Sequence, residues 1–411
     1  MRRFLFGLIF VFSFSITGGC GKESVTVSDL SSTGSENDNS NTEVMSTASV
    51  PEEPDSTADT GIDTLTELSI KDYMAEYGIK AGTCLSPQMI SDTKCSEIIL
   101  SQFNSITLEN AMKPDAIIDK SKSKETGELV VSFGKDTIKL LDWCKAMGMS
   151  VRGHTLVWYS QTPNWIFYND FNLQKGLVDR DEMLKRMESL IKQVFEKLDE
   201  CGYTEMFYAY DVVNEAIEDN GTLRENNWKK IIGDDYLWWA FYYADKYAPE
   251  SIDLYYNDFN EQFKYTAIKK QMESLKDENG RSLVDGIGLQ AHLYTSDDFL
   301  RYLSAIDSLS ATGLKIELTE LDVCLGAYQK KIDADEDNLN LQGRFYYNLL
   351  NGIIERKKAG KLNLDAITFW GVSDNRSWRA TQYPLLYNYK FEPKAAYFGV
   401  LQMKERAGFG N

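Results

Sequence analysis

Eight short segments rich in β-branched and apolar residues recur between residues 65 and 411, and longer stretches with helical periodicity separate them. The segments span residues 79–85, 103–109, 150–157, 207–214, 252–258, 286–292, 314–321 and 366–372. Regular alternation of this kind is typical of βαβ units that build a parallel sheet. Eight such units in succession predict a single α/β domain over residues 65–411, a (β/α)8 or TIM barrel.

The helical stretch before the fourth segment has the clearest amphipathic pattern. Apolar residues recur there at steps of three and four, at Leu184, Met187, Ile191, Val194 and Leu198. A doubly wound open sheet is the alternative arrangement of the same units. That fold usually carries a Gly-rich phosphate loop after its first strand, and none follows residues 79–85. The barrel is therefore the preferred prediction.

A glutamate stands within one residue of the end of the fourth and of the seventh predicted strand. An apolar run delivers Glu215, with Asn214 beside it, to the end of the fourth strand, and Glu320 lies near the end of the seventh. Because the active site of a barrel lies at the C-terminal ends of its strands, we expect these two side chains to meet. Cleavage of a glycosidic bond needs such a pair of carboxyl groups. Glu317, on the same strand as Glu320 but short of its end, is the weaker candidate.

Composition limits the partners of this chain. It has 411 residues, 43% hydrophobic and 26% charged, which is enough to bury a large core. A formal net charge of -18 disfavours binding to nucleic acid or to an anionic lipid surface, because phosphates would be repelled. The cysteine spacings match no zinc site, and the two histidines, His154 and His292, lack spaced partners. No metal or cofactor is expected.

The N-terminus has the pattern of a targeting segment. Arg2 and Arg3 precede an apolar run over residues 4–16, and two glycines precede Cys20. Residues 1–20 thus resemble a bacterial lipoprotein signal that ends in lipidation of Cys20, although Thr17 departs from the usual aliphatic residue and leaves ordinary secretion open. Residues 21–64 are acidic and rich in Ser and Thr, which predicts a flexible linker. We expect an extracellular protein, held at the membrane only through this lipid or else secreted.

Six motifs, in order along the chain, resemble glycoside hydrolase family 10, the endo-β-1,4-xylanases. They are TLENAMK at 107–113, RGHTLVW at 152–158, DVVNE at 211–215, GLQAH at 288–292, LTELD at 318–322 and FWGVSD at 369–374. The resemblance implies a (β/α)8 barrel with acids after strands four and seven. It further implies that Glu215 is the general acid/base and Glu320 the nucleophile of a retaining hydrolase.

The same resemblance implies roles for the residues around the two acids. His292 would hydrogen-bond Glu320 and be held by Asp322, while Asn214 would bind the 2-hydroxyl of the sugar under attack. The other implied sugar contacts are Glu109, Asn110, Lys113, His154, Trp158, Gln290, Trp370 and Trp378. Aromatic faces suit the C–H faces of a pyranose, and an indole at position 378 would collide with a hydroxymethyl group. Xylan and xylo-oligosaccharides are thus the expected ligands of a monomeric barrel.

Two residues depart from the family pattern. Tyr159 stands where a histidine is common, and Tyr210 replaces a common tryptophan before Asp211. Neither departure removes a catalytic carboxylate, but the first takes an ionisable imidazole away from Glu215. A β-1,4-glucanase or a mixed enzyme with the same mechanism remains an alternative. A noncatalytic glycan-binding lipoprotein is a third hypothesis, which predicts that one of the two acids is missing or displaced.

Overall fold

Nine parallel strands build the eight positions of a barrel in the computed structural model, which describes residues 69–410, because the sixth position contains two short strands. The strands are β1 (Lys80–Leu85), β2 (Ser105–Leu108), β3 (Ser150–Trp158), β4 (Phe207–Asn214), β5 (Asp253–Asp258), β6 (Gly286–Leu289), β7 (His292–Tyr294), β8 (Lys315–Cys324) and β9 (Leu364–Phe369). Strands β1 to β6 pair in sequence, β6 pairs with β8, β8 with β9, and β9 returns to β1. The predicted barrel is confirmed. The predicted signal segment at residues 1–20 and the predicted linker at residues 21–64 lie outside the described residues.

The sixth predicted strand is broken in the structure. Residues 286–292 were expected to be continuous, but β6 ends at Leu289 and the short strand β7 begins at His292. Between them Ala291 adopts a left-handed φ of 57°, which an extended strand does not contain. The chain is redirected, and β7 pairs with the end of β8 so that His292 lies opposite Asp322. The predicted continuous strand is therefore wrong, and the turn at Ala291 brings His292 to the mouth of the barrel.

Thirteen α-helices accompany the strands within residues 69–410. They are α1 (Ile70–Ala75), α2 (Pro87–Ser91), α3 (Thr93–Gln102), α4 (Pro114–Ile117), α5 (Lys120–Thr126), α6 (Lys135–Ala146), α7 (Arg180–Glu200), α8 (Asn227–Ile232), α9 (Tyr236–Tyr247), α10 (Glu261–Ser274), α11 (Phe299–Ser310), α12 (Glu336–Lys358) and α13 (Ala395–Val400). In the described part of the chain, none combines the length and apolar character needed to span a bilayer.

Helix α7 forms for the reason the sequence indicates. Its N-cap Asp179 accepts a hydrogen bond from the backbone N–H of Glu182, which satisfies one of the unpaired donors of the first turn. Met187, Ile191 and Val194 are fully buried on its inner face. At about 25 cal/mol per Å² of apolar surface, this face supplies most of the free energy that docks the helix on the barrel.

A buried ion-pair network crosses the barrel interior. The Arg152 guanidinium contacts Asp211 on one side and lies 2.6 Å from Oε2 of Glu317 on the other. Although burial opposes its charge, the two carboxylates raise the pKa of Arg152. Burial raises the pKa of Glu317 to about 7, while the Arg152 charge opposes that rise. Glu317 therefore supports the interior of the barrel rather than its mouth.

The departure at Tyr210 belongs to the core. Its side chain is fully buried and packs edge-on against Phe195, with ring centroids 5.5 Å apart. Across the sheet, a Cβ added to Gly153 would lie only 2.2 Å from the Tyr210 ring. Position 153 consequently has to be glycine while position 210 carries an aromatic residue, and the motif around His154 depends on that fit.

Candidate active site

The C-terminal ends of the strands surround a single cleft of about 1160 Å³. Twelve residues singled out in the sequence line it: Glu109, Asn110, Lys113, His154, Trp158, Asn214, Glu215, Gln290, His292, Glu320, Trp370 and Trp378. Asp322 lies beneath this lining, fully buried. Residues more than two hundred positions apart in the chain thus share one polar pocket, because the barrel brings all its strand ends to one face.

Glu215 is held at the first residue after β4. Its backbone has a left-handed φ of 57°, and its N–H donates to the carbonyl oxygen of Asn257 at 2.8 Å. A non-glycine residue in this conformation is uncommon, and the surrounding structure has to enforce it. Its Oε1 accepts hydrogen bonds from Nδ2 of Asn214 at 3.2 Å and from Nε2 of Gln290 at 3.0 Å. The carboxyl group therefore has a fixed orientation toward the cleft.

Glu320 lies across the cleft from Glu215, in the second half of β8. Asn257 donates to its Oε1 at 2.9 Å, and Nε2 of His292 lies 3.4 Å from its Oε2. Burial favours the neutral acid, but the hydrogen bond from His292 and the charges of His154, His292 and Lys113 outweigh it and lower the pKa of Glu320 to about 2. This carboxyl is ionised at any ordinary pH.

A chain of side-chain amides joins the two carboxyl groups. Nδ2 of Asn257 donates both to Glu320 and to Oδ1 of Asn214, each at 2.9 Å, and Asn214 in turn donates to Glu215. Oδ1 of Asn257 accepts from Thr319 at 2.6 Å, so the orientation of its amide is fixed. A Cβ on Gly288 would stand 2.5 Å from that oxygen, so glycine at 288 makes the space that Asn257 needs.

His292 is supported from below by Asp322. Nδ1 of His292 lies 3.1 Å from Oδ1 of Asp322, which also accepts from Arg379 at 2.7 Å, and Trp378 donates its indole N–H to Oδ2 at 3.1 Å. Burial opposes protonation, but Asp322 and Glu320 raise the pKa of His292 to about 10. His292 is therefore a cation beside Glu320, and Trp378 is tied to the same carboxylate.

His154 is almost completely buried in the floor of the cleft. Its Nδ1 lies 2.9 Å from Oδ2 of Asp211, which also pairs with Arg152. Trp370 packs edge-on against the imidazole with centroids 5.7 Å apart, and Trp158 lies 6.3 Å away on the other side. The interior ion pair thus sets the orientation of a cleft residue through Asp211.

One end of the cleft is built around Lys113. Its Nζ donates to Asn110 at 3.1 Å and to Gln161 at 2.9 Å, and it lies 5.0 Å from the centroid of the Trp158 ring. Burial lowers the pKa of Lys113, although the carboxylates of Glu320 and Glu109 counteract this. This end offers donors, acceptors and an aromatic face close together, as recognition of adjacent hydroxyls requires.

Several cleft residues were not predicted from the sequence. Besides Gln161 and Arg379, the lining includes Asp219, Phe259, Asn260, Gln262, Phe263, Tyr294, Asp297, Tyr328, Lys331, Thr381 and Gln382. Most belong to segments that follow strands, where no periodic pattern exists to reveal them. Arg379 could have been found, because it directly follows Trp378. In the described part of the chain, no cluster of three or more His, Cys, Asp or Glu side chains has the geometry of a metal site.

Comparison with known proteins assigns the family. The sequence signature of Glycosyl hydrolase family 10 matches residues 69–403, which is most of the chain and all but the last few residues of the barrel. The chain belongs to glycosyl hydrolase family 10. The (β/α)8 barrel agrees with that membership, as does the placement of Glu215 directly after β4 and of Glu320 in the second half of β8, the seventh strand position.

Family 10 relatives give the extent of the similarity. Endo-1,4-beta-xylanase B of Butyrivibrio fibrisolvens is 33% identical over 337 residues, 79% of this chain and 51% of that protein. Bifunctional endo-1,4-beta-xylanase XylA of Ruminococcus flavefaciens is 34% identical over 346 residues, 82% of this chain and 34% of that protein. The chain therefore spans about half of the first relative and about a third of the second.

A solved family 10 structure has the same fold. The CBM22-1-GH10 modules of Clostridium thermocellum endo-1,4-beta-D-xylanase 10B, in complex with xylohexaose, superpose with a TM-score of 0.74 at 31% identity. The match covers 84% of this chain and 69% of that one.

Of the two residues that depart from the family pattern, Tyr159 is the one that lies beside the active site. Its side chain is 42% exposed, and the Arg224 guanidinium lies 4.5 Å from its ring centroid. Burial and the nearby Glu215 carboxylate raise the pKa of Tyr159. Arg224 also donates to the backbone oxygen of Glu215 at 2.9 Å. A neutral phenol and a cation therefore flank the outer side of Glu215.

Proposed function

We propose that this protein is a retaining endo-β-1,4-xylanase. The observation that carries the proposal is the pair of carboxyl groups joined by amides in one cleft, with an ionised Glu320 facing Glu215. Retaining hydrolysis of a glycosidic bond needs one carboxylate as nucleophile and one carboxylic acid as proton donor. Both acids point into the cleft, so a noncatalytic binding protein is not favoured.

In the first step, Oε of Glu320 attacks the anomeric carbon while Glu215 transfers its proton to the glycosidic oxygen. The bond between the anomeric carbon and that oxygen breaks, a glycosyl ester forms on Glu320, and the shortened chain leaves as an alcohol. His292 and Lys113 keep Glu320 ionised before the attack. Asn214 is oriented by Asn257 to bind the 2-hydroxyl of the sugar, a contact that strengthens toward the transition state.

In the second step, water completes the cycle. Glu215, now a carboxylate, removes a proton from water, and the oxygen of that water attacks the anomeric carbon from the side that the leaving group left. The ester bond to Glu320 breaks, and the product keeps its original configuration. Loss of the Glu320 charge in the intermediate makes it easier for Glu215 to remain ionised, so one residue serves as both acid and base.

Trp378 supports xylan over cellulose as the substrate. It is 61% exposed at the rim of the cleft, and its N–H is anchored on Asp322 next to His292. The His292 and Trp378 ring centroids are 5.1 Å apart, which places the indole near the sugar that Glu320 would attack. A hydroxymethyl group on that sugar would meet the indole, whereas xylose has none. The named endo-1,4-beta-xylanase relatives point the same way.

The test compares the wild type with Glu215→Ala and Glu320→Ala on glucuronoxylan, arabinoxylan and carboxymethylcellulose. We expect internal cleavage of both xylans by the wild type, release of β-configured products in NMR, and little cleavage of carboxymethylcellulose. Glu215→Ala should lose about a hundredfold to ten thousandfold on xylan. It should lose much less on aryl xylosides whose leaving group needs no protonation.

Glu97→Ala, which removes an exposed carboxylate on α3, is the matched control and should remain fully active. Xylan cleavage that survives Glu320→Ala unchanged would contradict the assigned roles. Inverted products would contradict the double displacement.

We also propose that the chain is exported and lipidated on Cys20, leaving the barrel as an extracellular monomer. The support is the sequence of residues 1–20 with its two arginines, apolar run and glycines before the cysteine. Labelled fatty acid should be incorporated into the wild type and not into Cys20→Ala. Release of unlabelled wild-type protein into the medium would favour plain secretion, and sedimentation of the soluble domain would measure its oligomeric state.

A further inference from the structure

Two loops form one wall of the cleft. The β8 loop, residues 325–335, follows β8, and the β9 loop, residues 370–394, follows β9. They meet where Nζ of Lys331 donates to Oγ1 of Thr381 at 2.7 Å. Tyr328 on the first loop and Trp378 on the second are the most exposed aromatic side chains in the described part of the chain, at 74% and 61%. The wall therefore presents aromatic faces and a lysine to whatever fills the cleft.

Charged groups of both signs line the cleft. Its lining contains five carboxyl groups, those of Glu109, Glu215, Asp219, Asp297 and Glu320, and four cations, those of Lys113, His292, Lys331 and Arg379. Lys113 is surrounded by Glu320, Glu109 and Glu215, and the Arg379 guanidinium lies 2.7 Å from Asp322.

Lys331 differs from the other three cations of the cleft. Within residues 69–410, no carboxylate lies within ion-pair distance of its ammonium group, and its side-chain partner is the hydroxyl of Thr381. Of the acids in and beneath this part of the cleft, Asp297 accepts from the Tyr294 N–H and Asp322 accepts from Arg379. A cation on this wall therefore remains available to an anion that enters the cleft.

The bond to Thr381 separates Lys331 from an ordinary surface lysine. The adjacent Lys330 is also exposed, but its side chain does not line the cleft. Holding the Lys331 ammonium on the cleft side reduces the rotamer entropy that a long side chain would lose when it pairs with a ligand. The charges of Lys113, His292 and Arg379 are offset by neighbouring carboxylates, so Lys331 is the cleft cation best able to attract an acidic ligand.

We propose that Lys331 receives the carboxylate of a uronic acid substituent carried by the xylan chain, so that this protein prefers acidic xylan to neutral xylan. The inference rests on the proposed function and names the substrate class of the same site. Tyr328, which lies with its ring centroid 6.3 Å from that of Tyr294, offers an aromatic face to the ring of the substituent. The decorated sugar then lies along the wall that Trp378 borders.

The test measures kcat/KM on three oligosaccharides of equal backbone length: one with a glucuronic acid branch, the same one with its carboxyl group reduced to an alcohol, and one without a branch. The quantity of interest is the ratio of kcat/KM for the acidic to the reduced oligosaccharide. We expect this ratio to exceed one in the wild type and to fall about two- to fivefold in Lys331→Met, the range of exposed ion pairs. It should also fall as salt rises toward 1 M, because the pair is exposed to solvent.

Three variants distinguish an effect of the Lys331 charge from an effect of the loop conformation. Lys331→Arg keeps the charge and should keep the ratio. Thr381→Val removes the bond that orients Lys331 but leaves the ammonium group, so it should lower the ratio less than Lys331→Met does. Lys330→Met removes the neighbouring charge outside the cleft and should leave both the ratio and the overall rate unchanged.

A ratio near one in the wild type would overturn the inference, as would an equal loss in Lys331→Met and Thr381→Val, which would assign the effect to loop order. In both cases cleavage of the unbranched oligosaccharide would leave the proposed function standing. A wild type that cleaves none of the three would overturn the proposed function itself, and the inference with it.

Discussion

Removal of the buried Arg152 charge should destabilise the barrel in a way that depends on pH. Arg152→Met keeps much of the apolar stem and removes the guanidinium that pairs with Asp211 and Glu317. Both carboxylates are buried, and the guanidinium also lies 4.3 Å from the Tyr255 ring centroid. Breaking a buried pair by removing one partner typically costs about 3 to 5 kcal/mol, because the other charge is left unpaired.

The sign of the pH dependence follows from Glu317. Burial raises its pKa to about 7 even with Arg152 present, above the usual value of 4.5. An acid whose pKa is raised by folding binds its proton more tightly in the native state, so the protein loses stability as pH rises from about 4.5 to about 7. Without Arg152 that pKa rises further, and the loss continues above pH 7. The difference between wild type and Arg152→Met should therefore be larger at pH 8.5 than at pH 5.5.

Urea denaturation followed by tryptophan fluorescence at these two pH values measures the difference. Arg281→Met is the matched control, because Arg281 also contacts two carboxylates, Asp245 and Asp277, but its side chain is 47% exposed. Exposed pairs contribute about 0 to 1 kcal/mol, and the control should stay within that range at both pH values. A loss under about 1 kcal/mol in Arg152→Met, or one equal at both pH values, would refute the reasoning.

Two further predictions concern the mouth of the barrel. Since folding raises the pKa of His292 from 6.5 to about 10, its stabilising charge is fully present below about pH 6.5 and lost as pH rises toward 10. The urea midpoint of His292→Asn should accordingly fall less than that of the wild type between pH 6.5 and 10, and an equal fall would contradict the pairing with Asp322. Trp378→Ala should raise the ratio of kcat/KM for cellohexaose over xylohexaose, since the indole no longer meets the hydroxymethyl group; an unchanged ratio would remove Trp378 from the explanation of specificity.

The barrel was predictable because each strand is a short apolar run bounded by a helix. The segment at 207–214 matches β4 in full, and the amphipathic spacing before it matches α7. The break at Ala291 was not predictable, because contacts distant in the chain hold it: its N–H donates to Glu261 at 3.3 Å and its oxygen accepts from Asp322 at 3.3 Å. Nothing in the residues Gln-Ala-His alone distinguishes that turn from an extended strand.

Prediction of the site likewise succeeded for residues on strands and failed for residues on loops. Glu215 and Glu320 could be placed because Glu215 directly follows β4 and Glu320 lies in the C-terminal half of β8, and a barrel brings the C-terminal ends of its strands together whatever their separation in sequence. Lys331 and Tyr328 could not, because they lie in a loop without periodicity, where Lys331 is held by the β9 loop and Tyr328 packs against Tyr294. Residues of this kind set specificity in many barrels, since loops vary while strands are fixed by the core.

Arg152 is a third case, in which the local sequence indicates the wrong degree of burial. A charged residue within an apolar strand usually indicates a solvent-exposed position, because burying an unpaired charge is costly. Arg152 is buried nonetheless, since its partners lie 59 and 165 positions further along the chain. Asp211, which pairs with Arg152, also holds His154. Glu317, the other partner of Arg152, accepts a hydrogen bond from Tyr255, so the network spans the interior of the barrel. The acids can thus be found from strand patterns, but the network that orients their neighbours exists only once the barrel has closed.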